Sequence, residues 1–431
     1  MIQTGLIPDA HNDLVTDASY DFYGLHLATC SLDQRVKVWQ LHEQDGSWSA
    51  EHDWKAHDAA ISKVSWAHPE FGTILATASF DRTVKVWEQI SSPDFDSTQL
   101  NGAGHAASSS STRWEERAIL VDAKGTVRAV EFAPQHWGLK LATISSDNCL
   151  RIYECLEQPS LASWELLQEV DVLALPATTP SSRSTAHTVI SATPTQTSAG
   201  LDGNSVSAVA HALQQQASQS QVSGRPGLGT READGGWCIS WCKDKYWGEV
   251  IAAGCGIDGV VKIIQLNSSG RPSTLLSLNS APPAPSDPTS KGPSTAANGD
   301  EAAKTYAITS VAWAPSCGRS YHLIATGSRD GHVRIWRVRP PTPSEDLDGE
   351  GEEGEGKWSA SIVGDFDDHK STVGRVEWNI TGTILSSAGN DGRVRLWKMT
   401  AGNVWRPAGH ISVEQAEEQQ GEVDADMAVE D

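Results

Sequence analysis

The sequence lacks the features of a secreted, membrane-spanning or nucleic-acid-binding protein. It has no long apolar run, and its first stretch, MIQTGLIPDAHNDLVTD, is acidic, so we expect no secretory signal and no membrane insertion. It has no run of basic residues, so we expect no direct binding to nucleic acid. Its seven cysteines are scattered, which fits a reducing compartment. Composition therefore predicts a soluble intracellular protein.

The net charge of −22 is concentrated in two segments. Residues 345–355 contain seven acidic residues and no basic ones, and residues 414–431 contain eight acidic residues and no basic ones. Both segments are rich in Gly, Glu or Gln, which predicts disorder. The rest of the chain therefore carries an ordinary surface charge for its size.

Six copies of one pattern account for most of the chain. In five copies an Asp is followed six residues later by an aromatic residue: Asp33/Trp39, Asp81/Trp87, Asp147/Tyr153, Asp330/Trp336 and Asp391/Trp397. Asp258/Ile264 is a degenerate sixth copy. An aromatic residue ends the first predicted strand of each copy: Tyr20, Trp66, Phe132, Trp241, Trp313 and Trp378. Alternating strands repeated at this spacing predict an all-β fold, a six-bladed propeller of WD repeats.

Three copies also carry a His ahead of the Asp, and a Thr or Ser four residues before the Asp. The complete sets of four are His11, Thr29, Asp33, Trp39; His57, Thr77, Asp81, Trp87; and His369, Ser387, Asp391, Trp397. They resemble the hydrogen-bonded tetrad of WD blades. A catalytic triad occurs once in a chain and not once per repeat, so we interpret these sets as structural tetrads and expect no enzyme.

Two other patterns suggest chemistry only weakly. Cys238 and Cys242 have zinc-ligand spacing, but no second pair follows. Residues 254–259 match G-x-G-x-x-G, yet the apolar, β-branched VVKIIQL follows where a dinucleotide site needs a helix. We therefore expect no metal, no cofactor and no catalytic residue.

The chain is predicted to form one propeller with long insertions and an acidic tail at 411–431. The blades are predicted near 10–54, 57–122, 123–172, 236–279, 305–366 and 369–408. The disordered insertions are predicted at 91–112, 176–235, 281–304 and 340–356.

The strand count predicts an open ring. The sixth blade has its own outer strand at 402–408, and residues 2–8 form a further outer strand, so three strands of a seventh blade are absent. An unfilled gap exposes apolar blade faces and strand edges, which soluble proteins avoid. We therefore expect a partner to donate the missing blade, which contacts Ile2, Leu6, Ile7 and the faces of blades one and six.

Several strings resemble the SEH-one nucleoporin family, a sibling of the SEC-thirteen coat propellers. They include WAHPEFG (66–72), SFDRTVKVWE (79–88) and WNITGT (378–383), none of which the fold itself requires. The resemblance implies a scaffold subunit of the Y-shaped nuclear pore coat, at the nuclear envelope, which supports mRNA export and protein transport. It implies an α-solenoid nucleoporin as blade donor and other Y-complex subunits as partners. It also implies a coat complex at the vacuole or lysosome that regulates target-of-rapamycin signalling.

Two alternatives remain open at this point. One is a vesicle-coat propeller of the SEC-thirteen (COPII) type, which shares the YGLHLATCS and WAHP features. The other is a WD-repeat adaptor that reads a short peptide in the central channel of a closed ring.

Overall fold

The computed structural model describes residues 7–91, 112–158, 160–176, 232–266, 271–280, 305–341 and 357–412. The chain divides into two units, 1–178 with 235–431, and 179–234. In the second unit, the described residues form a 3₁₀ turn, Glu232–Asp234. The predicted insertions and acidic tail lie almost entirely outside the described residues.

The first unit consists of four-stranded antiparallel sheets whose strands follow one another in chain order. Blade 1 contains β1 (Val15–Tyr20), β2 (His26–Ser31), β3 (Arg35–Leu41) and β4 (Trp48–Lys55). Blade 2 contains β5 (Ile61–Trp66), β6 (Ile74–Ser79), β7 (Val84–Ser91) and β8 (Thr112–Leu120). Blade 3 contains β9 (Val127–Phe132), β10 (Lys140–Ser145), β11 (Cys149–Cys155) and β12 (Trp164–Asp171).

The second half repeats the same order. Blade 4 contains β13 (Gly236–Trp241), β14 (Val250–Gly256), β15 (Val260–Gln265) and β16 (Ser273–Asn279). Blade 5 contains β17 (Ile308–Trp313), β18 (His322–Ser328), β19 (Val333–Arg339) and β20 (Ser359–Phe366). Blade 6 contains β21 (Val373–Trp378), β22 (Ile384–Gly389), β23 (Arg393–Met399) and β24 (Trp405–Ser412). The predicted six-bladed all-β propeller is confirmed.

One short turn recurs in every blade between the second and third strands, and it explains the fixed position of the Asp. The residue after each Asp has a positive φ: Gln34, Arg82, Asn148, Gly259, Gly331 and Gly392. In blade 2, the Asp81 carboxylate accepts the Thr83 backbone N–H at 2.9 Å, which stabilises this turn. The Asp therefore sets the hairpin that begins the third strand.

Two predicted strands differ from those observed at the ends of the repeat array. The outer strand predicted at 402–408 begins at Trp405 and extends to Ser412. Of the strand predicted at 2–8, Ile7 and Pro8 are described and neither lies in a strand. Pro8 lacks a backbone N–H, and Asp9 has a φ of 50°, so the chain turns here before His11. Ile2 and Leu6 lie outside the described residues.

The apolar core lies between successive blades. Ala28, Cys30, Val36 and Val38 of blade 1 pack with Leu75 and Trp87 of blade 2. Similar buried clusters join blades 2 and 3, 3 and 4, 4 and 5, and 5 and 6. Within the described ranges, no such cluster joins blade 6 to blade 1.

Candidate functional site

The four tetrad residues of blade 2 form one chain of hydrogen bonds. The Trp87 indole N–H donates to Thr77 Oγ1 at 3.0 Å. The Thr77 hydroxyl lies 2.7 Å from His57 Nε2, and His57 Nδ1 lies 2.9 Å from Asp81 Oδ2. This order requires the hydroxyl to donate to Nε2 and Nδ1–H to donate to the carboxylate. The network joins the turn before β5, strand β6 and strand β7.

Blade 1 repeats the same geometry. The Trp39 indole N–H donates to Thr29 Oγ1 at 2.9 Å. Thr29 Oγ1 lies 2.8 Å from His11 Nε2, and His11 Nδ1 lies 3.0 Å from Asp33 Oδ2. Burial alone raises the pKa of Asp33, but the hydrogen bonds from Arg35 N–H, His11 and Asn12 N–H outweigh it and lower that pKa. The carboxylate is therefore ionised at neutral pH.

Blade 6 adds an arginine to the network. His369 Nε2 lies 2.8 Å from Ser387 Oγ, which accepts the Trp397 indole N–H at 2.9 Å. The Arg395 guanidinium donates to Asp391 at 2.7 Å and lies 2.7 Å from His369 Nδ1. Burial, together with the charge of Arg395, lowers the pKa of His369.

Our sequence reasoning missed the residue that replaces the histidine in blades 3 and 5. Arg151, whose side chain is fully buried, donates to Asp147 at 2.8 Å and to Ser145 Oγ at 2.8 Å. Arg334 donates to Asp330 at 3.4 Å in the same way. The signal was present in the sequence, since an Arg stands four residues after the Asp in blades 3 and 5, which lack the His. Blade 4 also lacks the His and has Lys262 there, and blade 6 has Arg395 in addition to its His. Blades 1 and 2 have Lys37 and Lys85 there.

The tetrads do not form a catalytic site. Thr77 is fully buried and His57 is 1 % exposed, so no substrate reaches the hydroxyl. The described residues contain no group of three or more His, Cys, Asp or Glu side chains able to hold a metal. Burial raises the pKa of the Cys238 thiol to about 12 and that of Cys242 to about 11, so both thiols remain protonated.

The residues 254–259 lie at the β14–β15 hairpin, and strand β15 follows where a dinucleotide site requires a helix. In the described part of the chain, no helix is long and apolar enough to cross a membrane.

In blades 2, 4 and 6, the aromatic residue that ends the first strand donates a hydrogen bond to the preceding blade. The indole N–H of Trp66 donates to the Ser19 carbonyl of blade 1 at 2.8 Å. Trp241 and Trp378 donate in the same way to the preceding blades, at 3.2 and 3.0 Å. Tyr20 occupies this position in blade 1 and is 57 % exposed. It lacks the preceding blade face that covers its counterparts.

Blade 6 has the complementary open face. The third strand of every blade carries two apolar residues that face the next blade. In blades 1 to 5 these residues are at most 2 % exposed: Val36, Val38, Val84, Val86, Leu150, Ile152, Val261, Ile263, Val333 and Ile335. In blade 6 the equivalent Val394 is 38 % exposed and Leu396 is half-buried.

The inner strands of blades 6 and 1 do meet at the channel. The Arg375 guanidinium on β21 pairs with Asp17 on β1 and donates to the Ala18 carbonyl at 2.5 Å. Asp17 also accepts from Lys63 at 3.1 Å and from the Val64 N–H at 3.1 Å on blade 2. The two end blades are therefore joined by polar contacts at the channel, while Tyr20 of blade 1 and Val394 of blade 6 remain exposed farther out.

These features define the class of protein: a WD-repeat β-propeller whose recurrent polar sets stabilise the blades and whose two end blades expose Tyr20 and Val394. The WD domain, G-beta repeat family matches residues 4–40, 48–88, 301–337 and 360–398.

Full-length comparisons identify the family within that class. The chain is 33% identical to Nucleoporin SEH1 of Saccharomyces cerevisiae, over 94% of this chain and 98% of the relative. It is 31% identical to Nucleoporin seh1 of Schizosaccharomyces pombe, over 97% and 98%. It is 34% identical to Nucleoporin SEH1 of Homo sapiens, over 93% and 85%. The chain belongs to the nucleoporin SEH1 family, as its sequence strings predicted. That membership supports a role as a non-enzymatic subunit of the nuclear pore complex.

Proposed function

We propose that this chain is a scaffold subunit of the Y-shaped nuclear pore coat. In this proposal, an α-solenoid nucleoporin inserts a β-blade between blades 6 and 1. The observation that carries the proposal is the exposure of Val394 and Leu396, whose ten counterparts in the other blades are covered by a neighbouring blade. The exposed Tyr20 supports it from the opposite side of the gap.

The expected energetics fit a permanent complex. A three-stranded blade buries on the order of 2,000 Å² or more, the range of obligate interfaces. At ~25 cal/mol per Å², this area corresponds to tens of kcal/mol before the costs of ordering and association. The function is then architectural: the propeller holds the inserted blade and stiffens the coat. Transport of mRNA and protein depends on the pore that this coat builds.

The family resemblance also suggests a second location for the same mechanism. In a coat complex at the vacuole or lysosome that regulates target-of-rapamycin signalling, a different solenoid subunit donates the blade to the same two faces. Purification of the chain from cell fractions, with identification of the subunits that remain bound, tests this extension.

The test is co-expression of the full chain with each α-solenoid nucleoporin of the same organism, followed by size exclusion. We expect one 1:1 complex, and we expect Val394→Asp to abolish it while the free chain stays folded. Val121→Asp is the matched control, because Val121 is 67 % exposed on blade 2, away from the gap.

Other outcomes of this co-expression, and of the same assay with vesicle-coat rod proteins and with short peptides, overturn the proposal. Complexes that survive Val394→Asp show that the partner does not use this face. Capture of a vesicle-coat rod protein instead of a nucleoporin favours the SEC-thirteen type of function. Capture of a short peptide in the central channel, by a chain that no solenoid stabilises, favours the peptide-reading adaptor.

A further inference from the structure

We propose that the outer edge of the open blade 6 face selects an acidic segment, with Lys398 and Arg406 binding carboxylates of the inserted blade. This inference rests on the proposed function and adds the chemistry of the partner. It concerns the four strands of blade 6, all of which are described.

The register places both cations on the open face. Trp397 and Trp405 are buried in the cluster shared with blade 5. Side chains alternate between the two faces of a strand, so Leu396 and Lys398 on β23 point away from blade 5. Arg406 pairs directly with Lys398 across the two strands and therefore lies on the same face.

The two cations have no counter-charge of their own. Both are exposed, and neither forms an ion pair with another described residue. Like charges directly opposite each other on neighbouring strands destabilise a sheet. Blade 2 shows how the fold resolves this conflict: Glu88 and Glu115 are opposite each other, and Arg117 pairs with both, at 2.8 and 3.0 Å.

Cations at other blade interfaces bind carboxylates of the neighbouring blade. Lys140 of blade 3 lies on the face toward blade 4 and pairs with Glu249 of that blade at 2.6 Å. Lys243 of blade 4 pairs with Glu131 of blade 3. Lys398 and Arg406 face the gap, so in this proposal the carboxylate that completes the arrangement comes from the inserted blade.

The rest of the face defines the occupant further. Ala388, Val394 and Leu396 form its centre, since Ala388 pairs with Val394 and the side chains alternate along β23. The expected occupant is a strand that is apolar where it covers these three residues. It carries Asp or Glu where it reaches Lys398 and Arg406.

The experiment compares two charge-reversal variants of the full chain. Lys398→Glu/Arg406→Glu alters the proposed edge. Arg271→Glu/Lys357→Glu makes the same charge change at exposed positions of blades 4 and 5. Binding to the co-expressed solenoid nucleoporin is measured at low and high salt. We expect the first variant to bind about tenfold more weakly or worse at low salt, with a smaller deficit at high salt, and the second to match wild type.

A second readout identifies the counter-charge. Zero-length carbodiimide coupling of the purified wild-type complex, followed by mass spectrometry, is expected to join Lys398 to an Asp or Glu of the solenoid nucleoporin. Coupling to the chain's own acidic residues 414–431 overturns the inference, and so does equal binding by both variants. Either result leaves the proposed function intact. If the wild-type chain forms no complex with any solenoid, the proposed function fails and this inference fails with it.

Discussion

At the scale of single residues, the tetrad shows how buried polar groups become a stabilising device. Thr77 serves as acceptor for Trp87 and donor to His57, so one hydroxyl satisfies two buried ring nitrogens. Asp81 accepts from His57 and from the turn backbone, which keeps its charge solvated by the protein. A buried network of this kind is stable only when every member is paired.

We predict that Thr77→Val destabilises the protein by about 1–3 kcal/mol, because it leaves the Trp87 indole N–H and His57 Nε2 buried without partners. Urea unfolding of the free chain measures this change. Thr73→Val, at an exposed position next to β6, is expected to change stability by less than about 0.5 kcal/mol. Equal effects of the two substitutions would show that the tetrad contributes nothing.

Arg151 is predicted to be as important in blade 3 as the histidine is in blade 2. Its side chain is fully buried and pairs with Asp147 and Glu169 at 2.8 and 2.7 Å. Arg151→Met leaves Asp147 without its counter-charge, and we expect a loss of about 3–5 kcal/mol. Arg113→Met, at an exposed position of β8, is the control for loss of one positive charge. A loss no greater than that of the control contradicts the assigned role.

His322 is predicted to make stability depend on pH. It lies against the rings of Trp247, Trp313 and Trp358, and burial lowers its pKa. An unfolded His has a pKa of about 6.5. As the pH falls, the unfolded state therefore takes up a proton at His322 before the folded state does. The contribution of the neutral His322 to the free energy of unfolding is complete above about pH 6.5 and declines as the pH falls further.

We accordingly expect the melting temperature to fall between pH 7.5 and pH 5.5, and to fall less in His322→Phe. The variant keeps part of the dependence, because the pKa of His369 and that of His136 are also lowered, chiefly by burial. Thermal melting at the two pH values measures the difference. An unchanged pH dependence in the variant would exclude His322 as a contributor.

At the scale of elements, the third strands of the six blades share one pattern of apolar residues but lie in two different environments. Val84 on β7 is 2 % exposed and Val394 on β23 is 38 % exposed, although both stand three residues after the repeat Asp. The difference is produced by the neighbouring blade, since Val84 faces blade 3 and Val394 faces the gap.

This contrast predicts that the same substitution affects the stability of the free chain in blade 2 and the binding of the partner in blade 6. Val84→Ala is expected to cost the free chain about 1.5–3 kcal/mol, because it removes two buried methyl groups and leaves a cavity. Val394→Ala is expected to cost the free chain less than about 0.5 kcal/mol and to weaken the complex with the blade donor. Denaturant unfolding and a binding titration separate the two. A large loss of free-chain stability on Val394→Ala would mean that the face is already covered.

At the scale of the whole molecule, the two end blades are held together differently from the other pairs of neighbouring blades. The Arg375 contacts with Asp17 and Ala18 join them at the channel, and no described apolar cluster does so farther out. Blade 6 is therefore supported by an apolar neighbour on the blade 5 side only. Regions with fewer buried contacts open at lower free energy.

We predict that amide hydrogens of β22 and β23 exchange faster than those of β6 and β7 in the free chain. In the complex with the blade donor, we expect the two pairs to become similarly protected. Binding at a thousand times Kd stabilises the folded state by about 4 kcal/mol, which raises the melting temperature as well. Hydrogen exchange with mass spectrometry tests this, and equal protection in the free chain would contradict the open ring.

The sequence determined the number of blades, their order and the tetrads, because these depend on local patterns that recur along the chain. Alternating strands, a turn at each Asp and an aromatic residue six positions later specify a hairpin with one buried face wherever they occur. The family strings are equally local, and the full-length comparisons agree with them. The role of Arg151 and Arg334 in place of the His could also have been predicted from the sequence, although we did not predict it.

Tertiary structure alone decided which of the repeated faces are covered. Val84 and Val394 have the same local pattern, so only the position of neighbouring blades makes one a core residue and the other a surface residue. The pairing of Arg375 with Asp17 joins residues from opposite ends of the chain, and no local pattern encodes it. The like-charged pair Lys398–Arg406 depends on the register between two strands. Local patterns fix the blades, but burial and charge pairing between blades are properties of the assembled ring.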